Sequence, residues 1–521
     1  VSDVRVDDVR RGHGVTPDTA PDDMSGPSSG PVDLRGSADT GGRLGRRAML
    51  AAALGTLGAG VLASSPVGRG DAAHAVGEPT APATGAPGAA GTATPGAPSG
   101  VRRSSASATL AAAIAGTEAH GTLVVDRSET TAVPVVVDRP MTLLFEAGVE
   151  LRTTRDVSAL VVRADDVTLR GATVVGSGSA TSGKARGVEV VATVGAPVRR
   201  LRVSGCSISR FSYGAVYLEH VRDFTVDGNV LTDLAYAGVM LFSCLDGTVR
   251  GNEVTGVHQS GSFPNSYGIA VNRYWNQSID VAPRSERITV ADNVVSDVPL
   301  WEGIDTHGGR EVTIVGNRLT GCAVGIAVVP CKSPDGATTY APLDCVVASN
   351  TVDAGTLAVP RNGIVFKGAG FGSGTAVEEG TGAILDNTVT GYGGDTLDAA
   401  VCVYFTSGLV VARSVLNGSI ARALNIYTGN HDLTVVDTLV TGLTSRTTQR
   451  PSVIDVRHHD NSALIVRTRY VATPGSRADA VGLYAAVGGS TLDLVDNDWT
   501  ATARAVYCSV ENTLARLHDG A

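Results

Sequence analysis

The 521 residues carry a formal net charge of −9, which excludes an electrostatic grip on nucleic acid or on anionic membrane. Sixty-four glycines beside only 4% aromatic residues disfavour a helical bundle, whose helices lose stability at each glycine, and favour a turn-rich all-β chain. Length alone would allow two or three domains, but the repeats described below favour one long one.

Residues 1–42 are polar and rich in glycine, proline and serine. Gly45-Arg46-Arg47-Ala48-Met49-Leu50 follows, then an apolar run to Leu62 and the small-residue motif Ala73-His74-Ala75. This order resembles a twin-arginine export signal, and the apolar run is too short for a comfortable membrane span. Residues 1–75 are therefore expected to be removed, leaving a secreted protein that starts near Val76 and has no membrane attachment. Residues 76–105 are alanine, proline, glycine and threonine with few large apolar groups, and read as a linker. Residues 106–521 read as a single domain.

Along that domain a unit recurs: a short alternating strand, a Gly-Asn or Asp-Asn turn, a second apolar pair, then a glycine and another strand. The turn asparagines are Asn229, Asn252, Asn293, Asn317, Asn350 and Asn387; the first two lie 23 residues apart, and Asn293 and Asn317 lie 24 apart. A period of about two dozen residues built from short strands indicates a solenoid. Asparagine suits the turn because it tolerates left-handed backbone angles and can form a side-chain ladder when copies stack. An antiparallel sandwich is the weaker alternative.

From about Leu143 to Cys508 the repeat resembles the right-handed parallel β-helix superfamily, which includes pectate lyases, alginate-type lyases and epimerases, some glycosidases and phage tailspikes. The resemblance implies an all-β right-handed parallel β-helix solenoid in which Ala108–Ala119 forms a short N-terminal capping helix. Calcium is left open by it, although no consecutive acidic cage appears and the sequence requires no cofactor.

Alternation within the strand after each glycine sorts inside from outside. Ile269 and Val271, Ile304 and Thr306, Ile326 and Val328, Ile364 and Phe366, Val401 and Val403, Leu424 and Ile426, and Ile454 and Val456 read as interior. Their neighbours read as an outward face that carries, coil by coil, Tyr217 and Glu219, Met240 and Phe242, Ala270 and Asn272, Asp305 and His307, Ala327 and Val329, Val365 and Lys367, Cys402 and Tyr404, Asn425 and Tyr427, and Asp455 and Arg457. Long excursions at 273–287, 331–345 and 368–383 are expected to wall one side of this face, with 256–267 on the other.

Glu302-Gly303-Ile304-Asp305-Thr306-His307-Gly308-Gly309 places an acid and an imidazole on one face, where the carboxylate can orient the ring for proton abstraction. The two glycines are expected to keep the surface open to a bulky ligand. The segment is similar to the Gly-x-Asp-Pro-His-Asp motif of β-helix mannuronate C5-epimerases, with Thr306 in place of proline and Gly308 in place of the second aspartate. That similarity implies a proton-abstracting role for His307. Arg273 or Lys367 could neutralise a uronate carboxylate, Asn272 could donate hydrogen bonds, Tyr274 could return a proton, and Glu219, Tyr274, Trp275 and Tyr404 complete a candidate sugar-binding surface.

The leading expectation is a polysaccharide lyase or C5-epimerase acting on an acidic glycan as a monomer. The alternatives are a glycosidase or glycosyl-transferring enzyme using paired carboxylates such as Glu302 and Asp305, and a non-catalytic glycan-binding surface protein. Of the seven cysteines, Cys331 and Cys345 bracket a loop and are expected to form a disulfide, the rest being small core residues. Arg457-His458-His459-Asp460 reads as a solvated edge.

Overall fold

Each repeat folds as three short strands separated by bends, and each strand pairs in parallel with its counterpart one coil later. Val221–Asp227, Val230–Leu234 and Ala237–Phe242 make one such coil; Leu245–Arg250, Glu253–Val257 and Tyr267–Asn272 make the next. Their registers align Thr225 with Thr248, Leu231 with Val254 and Val239 with Ile269. The computed structural model describes residues 100–517 except 179–182, 260–264, 336–337, 371–377, 395–396 and 445–449. The stretch expected to be an export signal and most of the one read as linker lie outside the described residues.

The stack starts earlier than the recurring turns suggest. Val101–Arg103 already pairs with the strand Gly121–Val125, so the fold begins inside the stretch read as linker. Helix α1 (Leu110–Ala115) is shorter than the expected Ala108–Ala119; Thr109 caps it by accepting from the Ala112 amide, and Leu110, Ala113 and Ile114 are buried. Among the described strands, Cys331–Lys332 and Thr338–Tyr340 form an antiparallel hairpin inside a loop.

The turn asparagines form a buried ladder. The Nδ2 of Asn229 donates to Oδ1 of Asn252 at 2.8 Å, and the chain continues through Asn293, Asn317, Asn350 and Asn387 at 2.9–3.0 Å. Each Oδ1 also accepts from the backbone amide of the preceding asparagine, so every polar atom is paired in a dry interior. The left-handed residue is the one before each asparagine: Gly228, Gly251, Asp292, Gly316, Ser349 and Asp386 have φ between 54° and 67°. The asparagine supplies the ladder, and its predecessor supplies the bend.

The interior positions expected from alternation are all buried and belong to one continuous apolar core, apart from Thr306, whose hydroxyl donates to the Val271 carbonyl at 2.8 Å. The expected disulfide is absent. All seven cysteines are free thiols, and Cys331 and Cys345 are buried in separate surroundings, with Cys331 against Arg273 and Cys345 against the Gly309 carbonyl.

Candidate functional site

The third strand of successive coils forms the outward face: β1 (Gly214–Glu219), β2 (Ala237–Phe242), β3 (Tyr267–Asn272), β4 (Val294–His307), β5 (Arg318–Val329), β6 (Ile364–Lys367), β7 (Val401–Tyr404), β8 (Arg422–Ile426) and β9 (Ser452–Val456). Asp305 aligns with Ala270 and Ala327, and His307 aligns with Val329. The inward and outward register is as the alternation predicts, with 30% of the His307 side chain exposed.

Glu302 joins this pair through a break in the alternation. A Cβ at Gly303 would lie 2.7 Å from Leu319 Cδ2 and 2.8 Å from Cys322 Sγ, both in the core. Positions 303 and 304 therefore both face inward, and the residues flanking them, Glu302 and Asp305, both face out. His307 Nε2 lies 2.9 Å from Asp305 Oδ2 and 3.6 Å from Glu302 Oε2. Asp305 is fully buried and the Glu302 side chain is 8% exposed; His307 is the most exposed of the three, although its Nε2, which faces the carboxylates, is itself buried.

Two buried carboxylates around one imidazole alter proton affinities. Burial raises the Asp305 carboxyl to about 6 against the opposing pull of His307. For His307, burial favours the neutral ring, but Asp305 and Glu302 outweigh it and raise the imidazole well above its ordinary value. Asn272 locks the arrangement: its Oδ1 accepts from the His307 amide at 2.8 Å, and its Nδ2 approaches Asp305 Oδ2 at 3.5 Å. At 7% exposure it positions the dyad, where a role as donor to a ligand was expected.

The expected role of Arg273 is corrected. Its guanidinium is buried, donates to the carbonyls of Ala282, Gln277 and Lys332, and lies 4.4 Å from the Tyr340 ring centroid. Arg284, which the sequence reading missed, donates to the carbonyls of Gly308 and Ala341 and pairs with Glu378 at 2.7 Å. Together these arginines knit the three excursions after β3, β5 and β6 into one wall beside His307. Gly308 serves that wall: a Cβ there would lie 2.8 Å from the Tyr340 carbonyl, so the glycine admits the neighbouring hairpin where open surface was expected.

Tyr274 lies within an aromatic cluster, stacked 4.2 Å from Phe242, with its hydroxyl bonded to Tyr217 and, at 3.2 Å, to Glu219. Burial raises both the Glu219 carboxyl and the Tyr274 phenol, favouring their protonated forms. Trp275 is 51% exposed. The cluster also contains Tyr213, Tyr236, Tyr267 and Trp301. These precede the glycines of their strands, a recurrence visible in the sequence. Lys367 lies 5.5 Å over the Tyr404 ring, two coils beyond His307.

Glu302, Asp305 and His307 each offer an atom within 4.8 Å of the others. Calcium prefers six to eight oxygens; two carboxylates and an imidazole already in contact with Asp305 do not match it.

Residues 186–333 match the model of the right handed beta helix region. The chain is a right-handed parallel β-helix. Among solved structures, this β-helix is similar to the Dettilon tailspike protein, with 15% identity, a TM-score of 0.43 and coverage of 62% of this chain and 60% of that one. It is similar to a tailspike mutant of E. coli bacteriophage HK620 in complex with pentasaccharide, with 12% identity, a TM-score of 0.48 and coverage of 76% and 72%. It is also similar to DFA-IIIase from Arthrobacter chlorophenolicus A6 in complex with GF2, with 10% identity, a TM-score of 0.40 and coverage of 75% and 89%. No curated protein matches the sequence.

Proposed function

We propose that the β-helix is a carbohydrate-active enzyme that transfers a proton through His307, as a lyase or C5-epimerase of a uronate-containing glycan. One observation carries this reading: of the three clustered groups His307 is the most exposed, at 30%, while its buried Nε2 faces the carboxylates that raise its proton affinity. Hydrolysis by two carboxylates needs both to reach the sugar, and the full burial of Asp305 argues against it.

The chemistry is proton abstraction from C5. In elimination the C5–H electron pair forms the C4–C5 double bond as the C4–O bond breaks, and the leaving oxygen takes up a proton. In epimerisation a proton returns to the opposite face of C5. Both pass through charge on the uronate carboxylate, for which Lys367 and Arg361, whose guanidinium lies 5.0 Å over Trp301, are the candidate cations.

The test is a glycan panel read by ultraviolet absorbance and mass. A base must be neutral, so kcat/KM should rise with pH through the raised His307 value, with His307→Ala inactive. Release of saturated reducing ends, with kcat/KM falling over the same range, would instead make His307 an acid in hydrolysis. Export as a monomer belongs to the same proposal: Arg46→Lys with Arg47→Lys should leave the protein in the cell, and light scattering of the secreted form should give one chain.

A further inference from the structure

Glu302 and Asp305 converge on the same ring nitrogen of His307. Nε2 lies 2.9 Å from Asp305 Oδ2 and 3.6 Å from Glu302 Oε2, yet neither approach is a hydrogen bond. Asp305 Oδ2 is close enough but lies off the axis of the nitrogen, and Glu302 Oε2 is too far. Nε2, Glu302 Oε2 and the second oxygen of Asp305 are therefore all buried without a hydrogen-bonding partner. Among the described residues, neither carboxylate has a lysine or arginine as ion-pair partner. Buried polar atoms are normally satisfied, and a buried cluster rich in acceptors, with no donor aligned to them, calls for a cation.

The donor set suits a small divalent ion that takes nitrogen and oxygen together. Zinc bonds of about 2.0–2.2 Å in a tetrahedral arrangement set ligand atoms about 3.4 Å apart, and the two measured separations, 2.9 and 3.6 Å, fall on either side of that value. Three protein ligands leave a fourth position for water. Asn272 supports the set, since its Oδ1 holds the His307 amide and its Nδ2 lies 3.5 Å from Asp305 Oδ2. His431 is the contrasting case. It also stands between two acids, but Glu379 approaches its Nδ1 and Asp460 its Nε2, so the carboxylates sit at opposite edges of the ring and cannot share one ion with a single nitrogen.

We infer that Glu302, Asp305 and His307 form a site for one divalent transition-metal ion of the zinc class, bound through His307 Nε2 and one oxygen of each carboxylate. The ion takes the place that the Nε2 proton holds in the metal-free protein. An imidazole bound through Nε2 keeps its proton on Nδ1 and has no lone pair left to accept another, so the metal-free protein is the form that transfers a proton and the metal-bound protein is the silent one. The inference deepens the proposed function by adding its regulation. It rests on that reading only for the effect on turnover, while the metal site stands on the geometry.

The experiment is titration of the full, untagged chain with zinc chloride, read by competition with a chromophoric zinc indicator. One zinc per chain should bind at low micromolar concentration, and millimolar calcium or magnesium should not displace it. Glu302→Gln and Asn272→Ala should each weaken binding at least about tenfold, His307→Ala should abolish it, and His431→Ala should bind as the wild type does, with melting curves showing that each variant is folded. Glu302→Gln, which keeps the side-chain volume, carries the test if His307→Ala does not fold. No zinc bound at these concentrations, or binding unchanged in Glu302→Gln and His307→Ala, overturns the inference. Where a glycan is turned over, bound zinc should stop turnover and a chelator should restore it. Zinc at full occupancy with turnover unchanged would overturn proton transfer by His307 and leave the metal site standing; turnover by a protein that binds no zinc would overturn the metal site and leave proton transfer standing.

Discussion

At the scale of single residues, the dyad is controlled by groups that never meet solvent. Asp305→Asn removes one charge that raises His307, so the rising limb of kcat/KM should move to lower pH as its rate falls. The same groups tie stability to pH. Asp305 titrates near 6 when folded and near its ordinary 3.8 when unfolded, so the folded state holds the extra proton between those values and stability falls as pH rises through that window. His307, raised in the folded state, adds stabilisation that is fully present below its ordinary value and lost as pH rises through the raised one. Calorimetric melts of the wild type and Asp305→Asn from pH 4 upward should separate the two slopes. The Asp305 and His307 pair was legible because both lie inside a strand, where alternation fixes the face. Arg273 was misread because alternation stops where β3 ends, and Glu302 was obscured because Gly303 interrupts it.

At the scale of elements, two devices hold the site. Gly303→Ala would drive a methyl group against Leu319 and Cys322; overpacking of this kind costs about 1–3 kcal/mol and would separate Glu302 from Asp305. Denaturant melts should show the loss, and activity should fall further than stability alone explains. Arg284 is the second device: Arg284→Ala should expose the excursions after β3, β5 and β6 to proteases while the coils survive, as limited proteolysis with mass mapping would show. That these excursions share one side was readable from their position after the outward strand. Their knitting was not, because it depends on carbonyl oxygens that carry no sequence signature. The aromatic residues before the strand glycines did carry one, recurring one or two positions ahead of each glycine.

At the scale of the molecule, stability resides in the ladder and the core more than in the ion pairs on the outer bends. Asn317→Ala would leave the buried Asn293 backbone amide without its acceptor and take one of two donors from Asn350 Oδ1, a loss of about 1–3 kcal/mol for each buried group left unpaired. Arg467→Ala, which removes an exposed pair with Asp437, should cost no more than about 1 kcal/mol. The solenoid itself was the most legible feature, because an asparagine recurs at the same bend of six successive coils and periodicity survives insertions. The free cysteines have a further use. Burial raises the thiols of Cys244, Cys322, Cys345 and Cys402 to about 12 and that of Cys206 to about 11, and these five residues are spread along the stack. A closed coil should shield its thiol from alkylation, and an opened one should release it. Timed alkylation in mild denaturant, read by peptide mass, would therefore record which end of the helix frays first and how far each opening travels before the whole stack gives way.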